Sequence, residues 1–128
     1  MHAVLTFSSV PLFLGALLSD WAYYRTHEIQ WVNFASWLIA GGLVMAGLAL
    51  LWGVVHVLRH AAHRHRAGWG YVALLLATFV IGLVNAFVHG KDGWAAMPTG
   101  LVLSVVVVLL AAVASAIGLA GVLRRVAP

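Results

Sequence analysis

Five histidines gather at the places along this chain that a membrane topology would bring to one side. They are His2 near the N-terminus, His56 and His60 at the end of a long apolar run, and His63 and His65 in the connection that follows. Neutral imidazole is the commonest metal ligand and a standard axial ligand for haem iron. His56 and His60 are four residues apart, so they share one face wherever the chain is helical. Two histidines from facing helices at one depth can ligate a b-type haem, which makes His2 with His56 or His60 a candidate cofactor site. The plainer alternative carries more weight. Four of the five lie in or beside the basic stretch RHAAHRHRAG, their spacing matches no specific ligand motif, and a solvated basic rim needs no ligand. The crowded loop histidines would also take up nickel or zinc adventitiously, and no metal site is assigned to them. His27 and His89 fall on the opposite side and cannot reach this set.

Asp20 is the second candidate. It is one of only three acids, with Glu28 and Asp92, and it sits inside an apolar segment about one turn from that segment's polar end. A carboxylate at such depth is costly and must face protein or water and find a partner. Arg25, His27, Asn33 and Asn85 are the partners available by depth. The functional reading is a proton or quinone contact. The structural one, which the boundary position favours, is a helix-end acid that pairs with a loop base and fixes packing. Asn85 is the one strongly polar residue inside its own apolar run. An amide there bonds a neighbouring helix, worth about 0.6–2 kcal/mol.

The elements that must position these groups are four apolar runs. Of 128 residues, 64% are hydrophobic and 8% charged, against roughly 25% charged in a soluble domain. A chain so poor in charge cannot cover a water-facing surface. Each run is long enough to cross about 30 Å of hydrocarbon as a helix of about 20 residues. The runs extend from about Ala3 to Tyr24, Trp31 to Leu58, Trp69 to Val88 and Leu101 to Leu123. Pro11 and Gly15 lie inside the first, where Ser8 and Ser9 could bond the carbonyls a proline frees. The second is long for one span, so it tilts or projects. Trp21, Trp31 and Trp94 fit one interfacial belt, Trp52 and Trp69 the other, and Trp37 lies deeper. The N-terminus has no basic region before its apolar run and no small-residue cleavage site, so the first segment reads as a retained helix.

Short connections make sequential helices antiparallel neighbours. The expected fold is therefore an all-α membrane protein, one domain over residues 1–128, with four transmembrane helices in an up-down-up-down bundle. The connection at residues 59–68 and the C-terminal tail share a side. Together they hold Arg59, Arg64, Arg66, Arg124 and Arg125, five of the seven Lys and Arg residues. The positive-inside rule then places both termini in the cytoplasm.

The runs HAVLTFSSVPLFLGALLSDWAYYRT, WLIAGGLVMAGLALLWGVVHVL and GWGYVALLLATFVIGLVNAF, with the basic loop, resemble a bacterial family of membrane proteins called domain of unknown function 2231. The resemblance covers nearly the whole chain. It implies a four-helix inner-membrane protein and, because similar domains accompany sugar-dehydrogenase-like proteins, a setting of membrane redox chemistry. In the family's pattern His2 matches a first histidine and Asp20 an acid late in helix one. This chain departs from the pattern elsewhere. Ala3 replaces a proline, Phe7 stands where a second histidine is expected, His56 near an expected acid, and Tyr71 near a helix-three histidine.

Enzyme signatures are missing: the chain has no HExxH, GxSxG or phosphate-binding loop. With no cysteine it also lacks thiolate nucleophiles and sulfur-ligated metals. The basic residues are few and end apolar runs, which points to topology and not to nucleic acid. The expected role is a non-catalytic accessory or anchoring subunit of a larger membrane redox complex, with the lipid bilayer and other membrane-protein subunits as partners. Small residues such as Ala112, Ala116 and Ala120 would supply a close-packing face. Two alternatives stand beside it: a b-haem electron carrier, and a small transport or proton-relay protein using Asp20.

Overall fold

The computed structural model describes residues 2–60 and 66–126, with side chains for residues 3–60 and 66–124. His63, Arg64 and His65, and the side chains of His2 and Arg125, therefore lie outside the described residues. Four helices account for nearly all of the rest: α1 (His2–Thr26), α2 (Ile29–Arg59), α3 (Arg66–His89) and α4 (Thr99–Val126). A 3-10 turn, Gly93–Ala96, sits between α3 and α4. Each helix outruns its apolar run by one to three residues at its ends. Flanking residues such as Arg66 and Thr99 are no obstacle to helix, so the polar ends continue the hydrogen-bond ladder.

Pro11 lies inside an unbroken α1. A proline there leaves the carbonyl of Phe7 without its helical donor. Neither neighbouring serine takes that carbonyl: Ser8 Oγ donates to Val4 O at 2.7 Å and Ser9 Oγ to Thr6 O at 2.7 Å. The helix stops at His27, whose φ of 61° is left-handed and which donates its N–H to Tyr23 O at 2.8 Å. Two residues thus suffice to reverse the chain into α2.

The helices form a ring in which α1 packs on α2 and α4, and α3 on α2 and α4. Contacts show that each neighbouring pair runs in opposite directions. Gly15 lies against Leu38 and Gly42 against Phe13 between α1 and α2. Gly82 lies against Leu43 and Gly47 against Phe79 between α2 and α3. Asn85 meets Ser104, and Tyr71 lies against Gly118, between α3 and α4. Ser115 bonds Thr6 and Ser104 bonds Asp20 between α4 and α1. One end of the ring therefore carries the α1–α2 and α3–α4 connections, called here the turn end. The other, the terminal end, carries the first residues of α1 and the last of α4.

Four helices are long and apolar enough to cross a membrane: Ala3–Thr26, Ile29–Arg59, Arg66–His89 and Thr99–Arg124. The faces turned away from the ring are apolar too, with Phe7, Trp37, Phe87 and Leu109 exposed. Water is a poor solvent for such a surface, and lipid a good one.

The interior is layered along the ring axis. Tyr23, Val32 and Met97 cluster at the turn end; Ala16, Ala35 and Ile39 come next. Phe13, Ala46, Val107 and Ala111 fill the middle, and Ala49, Leu75 and Ala114 lie toward the terminal end. Phe13 is 1% exposed, and glycines make its room. A Cβ on Gly42 would sit 2.6 Å from its ring, and one on Gly82 would sit 3.6 Å away. The ring thus closes the middle of the bundle between α2 and α3.

Candidate functional site

Buried positions recur along α1 at Thr6, Ser9, Phe13, Ala16, Asp20 and Tyr23. That is the three- and four-residue spacing of one helix face. The same spacing brings Gly82, Asn85 and His89 inward on α3, and Gly100, Ser104 and Val107 on α4. Where these faces meet, just inside the turn end, four polar side chains assemble. They are Asp20, His89, Ser104 and Asn85, all buried.

Asp20 is the centre, with 0% exposure. His89 Nε2 lies 2.7 Å from its Oδ1, and the Ser104 hydroxyl donates to its Oδ2 at 2.5 Å. Asn85 Nδ2 donates to Ser104 Oγ at 2.9 Å. The other imidazole nitrogen, Nδ1, lies 2.9 Å from the backbone carbonyl of Asn85. Gly100 makes room for the ring: a Cβ there would stand 2.8 Å from His89 Cε1.

Donor counting fixes the proton inventory. A backbone carbonyl can only accept, so His89 Nδ1 carries a hydrogen. Nε2 and Oδ1, 2.7 Å apart, then need one proton between them, as imidazolium with carboxylate or as imidazole with carboxylic acid. Without it two lone pairs would face each other. The Ser104 hydroxyl donates to Oδ2, so each carboxyl oxygen of Asp20 has a side-chain partner. The cluster is not arranged as a nucleophilic triad. Ser104 is directed at the carboxylate, and both imidazole nitrogens have other partners, so His89 is not placed as a base for the serine.

The depth partners expected for Asp20 turn out differently. Arg25, His27 and Asn33 are exposed, and Asn85 reaches the carboxylate only through Ser104. His89, the histidine placed on the same side as Asp20, is its partner across the bundle. Sequence reasoning missed His89 and Ser104. The usable signal was the four-residue interval from Asn85 to His89, which puts both on one face of α3 at the depth of Asp20. Ser104 gave no comparable signal, being one small hydroxyl in an apolar run.

At the terminal end, His56 is half-buried and His60 exposed. Their ring centroids are 4.5 Å apart, and the side chain of His2, the partner expected for either, lies outside the described residues. His60 closes α2, its N–H and Nδ1 both directed at His56 O. A second, neutral polar cluster lies nearby: Ser115 Oγ and Ser9 Oγ both donate to Thr6 O, and Thr6 Oγ1 lies 3.5 Å from the Tyr71 hydroxyl. At the turn end, Trp94 stacks on His27 at 4.6 Å and on Tyr24 at 5.7 Å. Ala96 and Met97, in the same connection, are buried over the bundle mouth.

No curated protein and no solved structure matches the chain. The family of predicted membrane proteins named domain of unknown function 2231 matches residues 1–126, almost its whole length, in agreement with the four apolar helices. The chain belongs to the domain of unknown function 2231 family of membrane proteins.

Proposed function

We propose that this protein spans a bacterial inner membrane four times, up-down-up-down, with both termini in the cytoplasm, and serves there as a proton-relay component without catalysis of its own. The arginine-rich terminal end supports the orientation, and the turn end then faces outward. One observation carries the relay reading: two fully buried ionisable groups from different helices, Asp20 and His89, meet at 2.7 Å with one proton to share. Ionisable groups inside membrane bundles are expensive and mark proton and ion sites. The apolar layer around Phe13 lies between this site and the terminal end, which supports exchange of its proton on the turn-end side.

Infrared difference spectroscopy on the purified protein in lipid nanodiscs tests this. Acidification should produce a protonated-carboxyl band that Asp20→Asn removes. The chain's other acids, Glu28 and Asp92, are exposed and make assignment direct. A band that survives unchanged in Asp20→Asn ends the relay reading. Single cysteines at Arg64 and Asp92, in a chain with no native cysteine, should label from opposite sides, Asp92 from outside.

An accessory or anchoring subunit of a larger membrane redox complex is the second reading. Ala112, Ala116 and Ala120 support it, since all three face away from the ring and form a flat face suited to another helix. Extraction in mild detergent followed by mass spectrometry should recover partner subunits; a lone monomer opposes it.

A further inference from the structure

Asn85 is 1% exposed. Its Nδ2 serves Ser104, yet its Oδ1 has no hydrogen-bond partner among the described residues. A buried acceptor left idle costs about 1–3 kcal/mol. A leucine would fill the space without that cost, so the amide's presence calls for a use of both its ends.

Ser104 has one proton, and Asn85 decides where it points. With Nδ2 facing Ser104, the serine oxygen accepts from the amide and its hydrogen must go to Asp20 Oδ2. Turned by half a rotation, the amide would offer Oδ1 instead. Ser104 would then donate to Asn85, and its lone pair would face Asp20 Oδ2, which must carry a hydrogen of its own. The two orientations therefore match two charge states of the carboxylate.

We propose that Asn85 is a positioning residue for the proton site, its amide turning when Asp20 gains a proton from the outer phase and reversing the chain Asn85–Ser104–Asp20. This rests on the relay reading above. In the loaded state the order is Asp20 Oδ2–H to Ser104 Oγ, and Ser104 O–H to Asn85 Oδ1. No bond beyond the incoming proton's is made or broken. No other titratable group competes at this depth among the described residues. On α1, Tyr23 is buried one turn toward the mouth while Arg25 is exposed. The α2 residues packed here are Val32, Ala35 and Ile39, with Glu28 exposed beyond them. On α3 the other ionisable groups, Arg66 and Tyr71, lie toward the terminal end, Lys91 and Asp92 of the following connection are exposed, and α4 has no charged residue before Arg124.

The chain has only two asparagines, Asn33 and Asn85, which makes the test direct. Protein labelled with 15N-asparagine in nanodiscs should show two side-chain amide pairs. The Asn85 pair should move across the same pH interval as the carboxyl infrared band, while exposed Asn33 stays fixed. Ser104→Ala cuts the chain and should abolish the Asn85 movement while the carboxyl band persists. Ser104→Thr, which keeps the hydroxyl, should restore it. Should Ser104→Ala fail to fold, Ser104→Cys, a weak donor of similar size, should reduce the movement at least severalfold. An Asn85 pair that stays fixed while the carboxyl band develops overturns the inference and leaves the relay reading standing. So does an Asn85 movement equally large in Ser104→Ala, because a field effect would then explain it. Absence of the carboxyl band fails the relay reading itself, and this inference with it.

Discussion

The bundle holds two buried polar clusters, and they are built differently. Near the terminal end, Ser9 and Ser115 both donate to one backbone carbonyl, Thr6 O, with the Tyr71 hydroxyl close to Thr6 Oγ1. Every member is neutral, and two of the three contacts end on a backbone acceptor that belongs to α1. Near the turn end, Asp20, His89, Ser104 and Asn85 bond side chain to side chain across α1, α3 and α4. There each partner's hydrogen placement depends on the next. The first cluster satisfies stray hydroxyls; the second holds an ionisable pair that shares one proton. In a bundle where most of each helix faces lipid, a neutral hydroxyl is inexpensive to keep and a charge is not.

Mutations should separate the two clusters by size of effect. His89→Leu leaves Asp20 buried without its partner and should cost about 3–5 kcal/mol, the range for breaking a buried pair. Denaturant titration in mixed micelles measures it. An effect below that of an ordinary surface change would mean that water reaches the carboxylate. Gly100→Ala drives a methyl into the His89 ring and should cost about 1–3 kcal/mol, as overpacking does; the same assay applies, and the carboxyl infrared band should shift with it. Ser115→Ala removes one neutral bond at the other cluster and should cost only about 0.6 kcal/mol. A cost as large as that of His89→Leu would erase the distinction drawn here. The smallest net effect belongs to the double change Asp20→Leu with His89→Leu. An apolar replacement of a whole buried pair is often close to neutral, so the double variant should be more stable than His89→Leu alone while losing the proton band.

Much of this was legible in the sequence, and the limits have physical causes. Helix number, approximate bounds and the membrane class follow from run length and charge scarcity, which act locally. The inward position of Asp20 followed from the cost of a carboxylate in an apolar run. Its partner did not. Arg25 and His27 are nearer in the chain, but both lie on the exposed rim, Arg25 on an outer face of α1 and His27 in the left-handed turn, where it stacks on Trp94 instead. His89 is 69 residues away in the chain, and Gly100 on α4 leaves the room its ring occupies beside Asp20. Tertiary closeness of that kind depends on which small residues face each other, and helix periodicity alone does not specify it. The histidines at the other end drew attention by number and crowding. The His60 backbone N–H and Nδ1 both point at the carbonyl of His56 on its own helix, as helix termini require of nearby donors.

The aromatic wedge of Phe13 between α2 and α3 has an electrical consequence. Most of a membrane's voltage drops across its dry, low-dielectric interior, and moving one elementary charge through the whole of it takes about 2.3 kcal/mol per 100 mV. In the proposed orientation, a proton arriving from the turn end would stop at Asp20, short of that wedge, having crossed only the shallow part of the field. On that reading, occupancy of the pair should track acidity on the turn-end side and respond little to membrane potential.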